Sequence, residues 1–422
     1  MVKKDYVQKK ILLTDEKGLI MKYKEIHIWD FPSTKIFVHL NNKFRCRLLF
    51  EIREKIGVDK ALKIINQKSI NYNPKKKYKY NSSHFYDWKR GFKKEKDHTD
   101  KINIPLWVLI EISKILSKSN DADNVHMKEI EKHISYYTGI GKAIPITKPK
   151  LPLLLTPEMI SVIFHLCGDG HIGIGTDVSH YRQTNISGLY FFLQKLQNVF
   201  GEFRINIFEN SKLVIPRVII DFYKYYFKLE GHSWDTVRIP KDVKDMPKDF
   251  LLAGLTAFIV DEGHISDFIE VYSKNYHLIK DISMIALKLK YKISKIGKKY
   301  RYGKFDSYRF IIRPESLTNM YREIESFQKS FSLCGLGHKT GYLKQIVKIR
   351  NRKWKRRGFG ITKKLIIDFL KDNKATTREI SIKLNIRLSS IREHLLQLEK
   401  RNLVNRAGKE SRQILWTSCK VR

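Results

Sequence analysis

Apolar positions along the chain follow a helical period in some stretches and a strand period in others. Near the end of the chain, Leu365, Ile366, Phe369 and Leu370 share one helical face. Thr376 and Glu379 have the spacing of a capping box, opening a second helix with Ile380 and Leu384. Ser390 and Glu393 repeat that spacing before Ile391, Leu395 and Leu398, which predicts a third helix. Leu403-Val404 and Ile414-Leu415-Trp416 then read as two strands around a turn at Gly408. Earlier, residues 45–118 have a helical pattern. Asp59 is placed to cap a helix through Ala61, Leu62, Ile64 and Ile65, and Ser82 or Ser83 a short one holding Phe85 and Trp88 and stopping at Gly91. Ile104 to Leu116 reads as another amphipathic helix. Residues 1–40, with Ile26-His27-Ile28-Trp29, predict short strands or an arm.

Two stretches interrupt this pattern. Residues 144–152 hold Pro145, Pro149 and Pro152, whose fixed φ favours extended chain and marks a boundary. Lys344 to Arg357 carries eight basic residues and no acid, as a cationic connector or a solvated linker would. The expected divisions are residues 1–143, 144–340, a linker at 341–360, and 361–422.

Between the two interruptions a segment recurs. Val162 to Ile172 and Leu255 to Ile265 are both apolar helices ending in acid-Gly-His-Ile, and the acids Asp169 and Glu262 lie 93 positions apart. Each copy is followed by a strand-like stretch, an amphipathic helix (Gly188 to Phe200; His277 to Leu289) and more strands. This predicts two similar units, about 153–235 and 245–328, related by a pseudo-two-fold. An acid before glycine is most often a helix end or turn. A carboxylate there faces the negative end of the helix dipole, so two at matching points call for a compensating cation, such as a divalent metal.

Composition adds a partner. The 422 residues include 82 Lys plus Arg against 43 Asp plus Glu, a formal net charge of +39. Such an excess repels itself unless a polyanion lies against it, so nucleic acid is the leading partner and an anionic membrane surface the second. Residues 68–101 alone hold eleven basic and four acidic residues. Their short helices fit a helix-turn-helix variant or a small bundle with a basic face. No run reaches the roughly 18 apolar residues that a membrane span needs, and no membrane role is expected. The four cysteines, Cys46, Cys167, Cys334 and Cys419, lack zinc or disulfide spacing and fit a reducing cytoplasm, with location at the nucleoid.

The repeated acid-tipped helices resemble the two-repeat, single-chain LAGLIDADG homing endonucleases over about residues 150–330. The resemblance implies an α+β core of two αββαββα halves in one monomer, with the motif helices packed at the pseudo-dyad and each sheet lying along double-stranded DNA. It implies that Asp169 and Glu262 bind Mg²⁺ or another divalent cation for double-strand cleavage, with Lys212 and Lys299 assisting (Lys298 and Lys304 are alternatives to the latter). It also places Tyr181, Arg182, Gln183, Tyr272, Lys274, Arg301 and Arg309 against DNA. At the third motif position Phe164 stands opposite Ala257, large facing small. His171 and His264 follow the motif glycines and read as polar strand starts.

Residues 361–418 are similar to winged helix-turn-helix domains. That likeness implies DNA contacts from Ser389, Arg392 and Gln397 on the third helix and from Arg406, with Lys409 and Arg412 near the wing; docking to another protein is the alternative. Three functions stay open: a sequence-specific metal-dependent endonuclease, a non-catalytic DNA-binding transcriptional regulator on the same kind of core, and an RNA maturase. Retention of both acids favours the first. The ends, Met1-Val2 and Lys420-Val421-Arg422, lead to a free-standing or intron-encoded protein rather than an intein.

Overall fold

A computed structural model describes residues 13–14, 20–21, 23–74, 78–95, 98–117, 125–141, 143–173, 177–209, 211–231, 235–350, 360–410 and 413–419. The architecture is mixed α+β, with helices interleaved among small antiparallel sheets. Strands β1 (Leu13–Thr14) and β2 (Ile20–Met21) pair with each other. They are followed by β3 (Glu25–Ile26), a short 3-10 turn (Ile28–Asp30), β4 (Phe37–Leu40), α1 (Asn42–Lys55), α2 (Val58–Tyr72) and α3 (Ser82–Arg90). A hairpin of β5 (Phe92–Glu95) and β6 (His98–Lys101) leads to β7 (Ile104–Pro105), α4 (Leu106–Ser117), α5 (Val125–Lys132) and β8 (Ile134–Thr138).

The expected helices form, but their caps differ. Gly57 precedes α2 and Asp59 lies in its first turn, where a carboxylate favours the helix dipole instead of capping the end. Asn81, not either serine, caps α3, its side chain accepting from the His84 amide at 3.2 Å. The helix stops at Gly91 as expected, in the left-handed region (φ 75°). Buried Arg45 holds this corner, donating to the Leu40 and Arg90 carbonyls at 3.0 Å and to Asn42 at 2.7 Å. Lys75, Lys76 and Lys77, expected in a basic loop, lie outside the described residues.

The proline-rich stretch is extended, as its prolines dictate, but it is not a free joint. It supplies β9 (Ile146–Thr147), which pairs with β8 on one side and β13 (Glu202–Phe203) on the other. The resulting five-stranded sheet, β13-β9-β8-β4-β7, takes strands from both sides of residue 143. β10 (Leu153–Leu154) likewise pairs back to β3. One apolar core accordingly runs from Ile26 to Val347.

Two stretches of this core have the same order of elements, apart from β13, which interrupts the first and joins the five-stranded sheet. The first runs α6 (Pro157–Cys167), β11 (Gly170–His171), β12 (His180–Arg182), α7 (Ile186–Phe200), β14 (Ile207–Phe208), β15 (Lys212–Val214) and α8 (Arg217–Tyr226), with sheet order β11-β12-β15-β14. After α9 (Lys241–Lys244), the second runs α10 (Lys248–Glu262), β16 (Gly263–Ile265), β17 (Ile269–Ser273), α11 (Tyr276–Lys288), β18 (Gly297–Arg301), β19 (Lys304–Ile312) and α12 (Pro314–Ser330), with order β16-β17-β19-β18. Helices α6 and α10 are packed face to face and are almost wholly buried. The small residue under the Phe164 ring is Gly254 rather than Ala257. A Cβ at 254 would lie 2.2 Å from that ring, so only glycine admits this approach.

The basic run beyond Lys339 starts as a helix, not a linker. α13 (Thr340–Arg350) buries Leu343, Ile346, Val347 and Ile349, and residues 351–357 lie outside the described part. A second, separate core joins α14 (Ile361–Lys371), β20 (Ala375–Thr376), α15 (Thr377–Leu384), α16 (Leu388–Lys400), β21 (Val404–Glu410) and β22 (Gln413–Ser418). The Thr376–Glu379 capping box is present. The second expected box is not. Arg387 occupies the N-cap of α16, which places Ser390 inside the helix, and β21 runs on through Gly408, which pairs with Leu415 at a bulge. Arg412 lies outside the described residues. The Arg378 guanidinium sits 4.8 Å from the Tyr342 ring, joining α15 to α13. Among the described residues no helix is long and apolar enough to cross a membrane.

The α6–α10 contact yields a double-mutant test. Gly254→Ala is expected to cost about 1–3 kcal/mol in chemical unfolding, because the Phe164 ring must move. The same change in a Phe164→Ala background is expected to cost far less, since the offending ring is gone. Equal penalties in both backgrounds would show that the two residues do not oppose each other.

Candidate functional site

The site forms where α6 and α10 end. Thr156 caps α6 by accepting from the Met159 amide at 3.4 Å, and Pro157 supplies a first helical position that needs no amide. The helix stops at Gly168, and Asp169 follows. A Cβ on Gly168 would lie 2.9 Å from the Asp261 side chain, so the glycine admits the second helix's carboxylate. α10 is buried continuously from Phe250 to Val260 and ends in Asp261 and Glu262. Three acids thus gather at two helix C-termini, where the exposed carbonyls already carry partial negative charge.

The compensating cation is a lysine. After α12, a turn with positive φ at Gly335 and Gly337 brings a 3-10 segment (Gly337–Lys339) against the helix ends. Lys339 Nζ donates to the Ile259 carbonyl at 3.0 Å and to the Gly263 carbonyl at 2.7 Å, capping the last turn of α10. Burial lowers its pKa, while the charges of Asp261, Asp169 and Glu262 oppose that shift. The acids respond in turn. Burial pushes Asp169 up to about 8, with the Asp261 charge adding to it. Burial likewise pushes Asp261 and Glu262 up to about 8.

Asp261 is the centre of a buried polar chain. Tyr181 donates its hydroxyl to Oδ1 at 2.6 Å, and His165 Nδ1 lies 3.0 Å from Oδ2. The other imidazole nitrogen, Nε2, is 3.0 Å from the fully buried Lys195 amine. An ammonium only donates, so Nε2 accepts, and Nδ1 carries the proton given to Asp261. The chain Lys195–His165–Asp261 places an amine and a carboxyl group at the two ends of one buried imidazole ring. Burial holds the His165 pKa well below its ordinary value, followed by the Lys195 charge.

The expected DNA-contacting and catalytic residues divide into an inner and an outer group. Tyr181 and Gln183 do not face outward. Tyr181 is fully buried on Asp261, and Gln183 is buried with Nε2 donating to Asp169 at 3.0 Å. Arg182 is exposed beside Lys212 on paired β12 and β15, and Lys212 is bridged to Glu209 at 2.7 Å. On the second sheet Tyr272, Arg309 and Lys299 share an outer face. Arg309 and Lys299 both bind the Glu270 carboxylate, Lys299 at 3.0 Å, with Lys299 over the Tyr272 ring. Lys274, Arg301, Lys298 and Lys304 are exposed. His171 pairs with Asp177 at 2.9 Å, and His264 is exposed on β16.

On α16, Ser389 and Arg392 are exposed, and Gln397 bonds Glu393 at 3.4 Å. Arg406 bridges Glu399 at 2.8 Å and lies over Trp416, tying the hairpin to the helix. Sequence reasoning passed over Asp261, although it adjoins the chosen Glu262, and His165, one of three polar residues on the apolar helix α6 with Glu158 and Ser161. Lys339 and Lys195 left no local signal. Among the described residues, no three His, Cys, Asp or Glu side chains are arranged to hold a metal ion.

No family model matches the chain, and no curated protein matches it. A solved structure it resembles is that of full-length DUF199/WhiA from Thermatoga maritima, at 10% identity and a TM-score of 0.27, covering 59% of this chain and 92% of that one. The expected membership in the homing-endonuclease family finds no support in any of these comparisons and is withdrawn, and the double-strand endonuclease reading that rested on it is withdrawn with it.

The shifted acids set a pH dependence. Each folded pKa lies above its unfolded value, so the folded state holds the proton more tightly, and stability falls as pH rises from about 4 to about 8. Depressed His165 has the opposite sign below its ordinary pKa, and depressed Lys195 and Lys339 have it in the alkaline range. Comparison with variants isolates the carboxyl share. Asp169→Asn and Glu262→Gln are expected to raise the melting temperature more at about pH 9 than at about pH 5. Lys339→Met is expected to cost about 2–3 kcal/mol, because the α10 carbonyls and the acids lose their cation. A variant with the wild-type unfolding curve would remove Lys339 from this role.

Proposed function

We propose that the chain is a non-catalytic, sequence-specific binder of double-stranded DNA, of the transcriptional-regulator type. The observation that carries this reading is the Lys339 amine at the acidic helix ends. Metal-assisted phosphodiester hydrolysis needs a cation with places open to water and phosphate oxygens. An ammonium bonded to the Ile259 and Gly263 carbonyls offers none. Asp169 and Glu262 are then structural acids, and their likeness to cleavage residues is one of position.

In this reading the two similar stretches are halves about a pseudo-two-fold axis between α6 and α10, within a monomer. Their sheets present Arg182 and Lys212 on one side and Tyr272, Lys299 and Arg309 on the other to the DNA backbone. Residues 361–419 act as a winged helix whose α16 enters a major groove with Ser389 and Arg392. The net charge of +39 supplies the long-range attraction.

Binding and cutting are separable by experiment. With about eight phosphates neutralised, log K is expected to fall against log salt with a slope near −7. Plasmid DNA incubated with the protein and Mg²⁺ or Mn²⁺ is expected to stay supercoiled. Metal-dependent scission lost in Asp169→Asn would overturn the non-catalytic reading, and a salt slope near zero would overturn DNA binding.

A further inference from the structure

The β18–β19 hairpin ends in the two-residue turn Tyr302-Gly303, with φ of 51° and 77°. Two positive φ values in a row belong to the tight hairpin turn that asparagine-glycine forms cheaply. A bulky aromatic residue in the left-handed region is disfavoured by contact between its Cβ and its own backbone. Tyr302 gains no packing in return, because it is 92% exposed. The surroundings are aromatic and basic: Tyr300 is 60% and Phe305 46% exposed, and the Arg301 guanidinium lies 5.6 Å from the Tyr302 ring.

Among its described residues, the matching β14–β15 hairpin has one exposed aromatic ring, Phe208, which lies under Lys212. Its turn residue with positive φ is Glu209 (51°), bridged to Lys212. Residues 295–309 hold six basic residues and one acid, whereas residues 202–214 hold two of each. Strain retained at an exposed tip that packs against nothing points to a ligand. The charge around it selects a polyanion, and flat rings select the bases of that polyanion.

We propose that this hairpin is a base-stacking wedge: the Tyr302 ring enters a duplex at a deformable step and unstacks it, while Arg301 and Lys304 hold the flanking phosphates. The proposal rests on the DNA-binding reading and deepens it. It makes the complex asymmetric, since one sheet only reads the surface of the duplex and the other opens it. Specificity then arises in part from how easily a step is unstacked.

The test measures affinity of the full chain for short duplexes of one sequence, fully paired or with a central mismatch. A mismatched step is already partly unstacked, so a wedge has less to do there. The wild type is expected to bind the mismatched duplex roughly tenfold more tightly, from the worth of one base–aromatic stack. Tyr302→Asn keeps the turn and removes the ring. Its melting temperature is expected to equal or exceed that of the wild type, and its preference to vanish. Tyr302→Phe is expected to keep the preference. An unchanged preference in Tyr302→Asn would overturn the wedge. So would a wild type that binds both duplexes equally in a salt-sensitive way, and that result would leave the DNA-binding reading standing. Absence of binding to either duplex would overturn both.

Discussion

Two helices that cross closely enough for the Phe164 ring to cover Gly254 must also bring their C-terminal ends together, and both ends are acidic. The rest of the central region answers that constraint. Carbonyls at a helix end repel carboxylates, and burial raises the cost of every charge left there. The structure responds in three ways. It brings Lys339 onto the α10 carbonyls, ties Asp261 through His165 to Lys195, and pushes the acids toward their neutral forms. Arg45 plays a similar part in the N-terminal region, where its buried guanidinium meets the last carbonyl of α3. In both places a buried cation holds a corner where a helix stops.

This arrangement separates the positive charge by role. The inner lysines, Lys195 and Lys339, are held inside the core, Lys195 by the His165 ring and Lys339 by the Ile259 and Gly263 carbonyls. On the outer sheet faces, Lys212, Lys299 and Arg309 are each bridged to an acid, which restrains long side chains that would otherwise roam. The sheets can hold such faces because their opposite sides are anchored in the continuous apolar core. The five-stranded sheet that crosses the proline-rich stretch extends this core into the N-terminal region, so those helices are carried by the same body.

Much of the local structure was legible in the chain. The Thr376–Glu379 box, the stop at Gly91, the apolar faces of α14 and α16 and the two acid-tipped helices all depend on residues within four or five positions of one another. Such contacts leave a periodic trace. Where two local signals competed, sequence reasoning chose less well. Asn81 outcompeted Ser82 and Ser83 for the cap, and Ser390 lies inside its helix. Strand faces were harder, because alternation does not say which side is buried. Tyr181 and Arg182 are neighbours in sequence, yet one binds Asp261 in the core and the other faces outward.

What the sequence determined by itself was the order and kind of the elements, the presence of a repeated acid-tipped helix, and a positive charge that demands a polyanion. It also determined that the acids need a cation. Only the tertiary structure placed a lysine at those helix ends. Lys339 lies far along the chain from Asp169, in a segment with no period and no motif, and its meeting with the acids follows from how α12 and the glycine turn fold back over the helix ends. Pairing between distant residues is set by the packing of whole elements. It leaves no mark in the spacing of their neighbours, so the identity of the charge at the centre of the molecule could not be read from the chain.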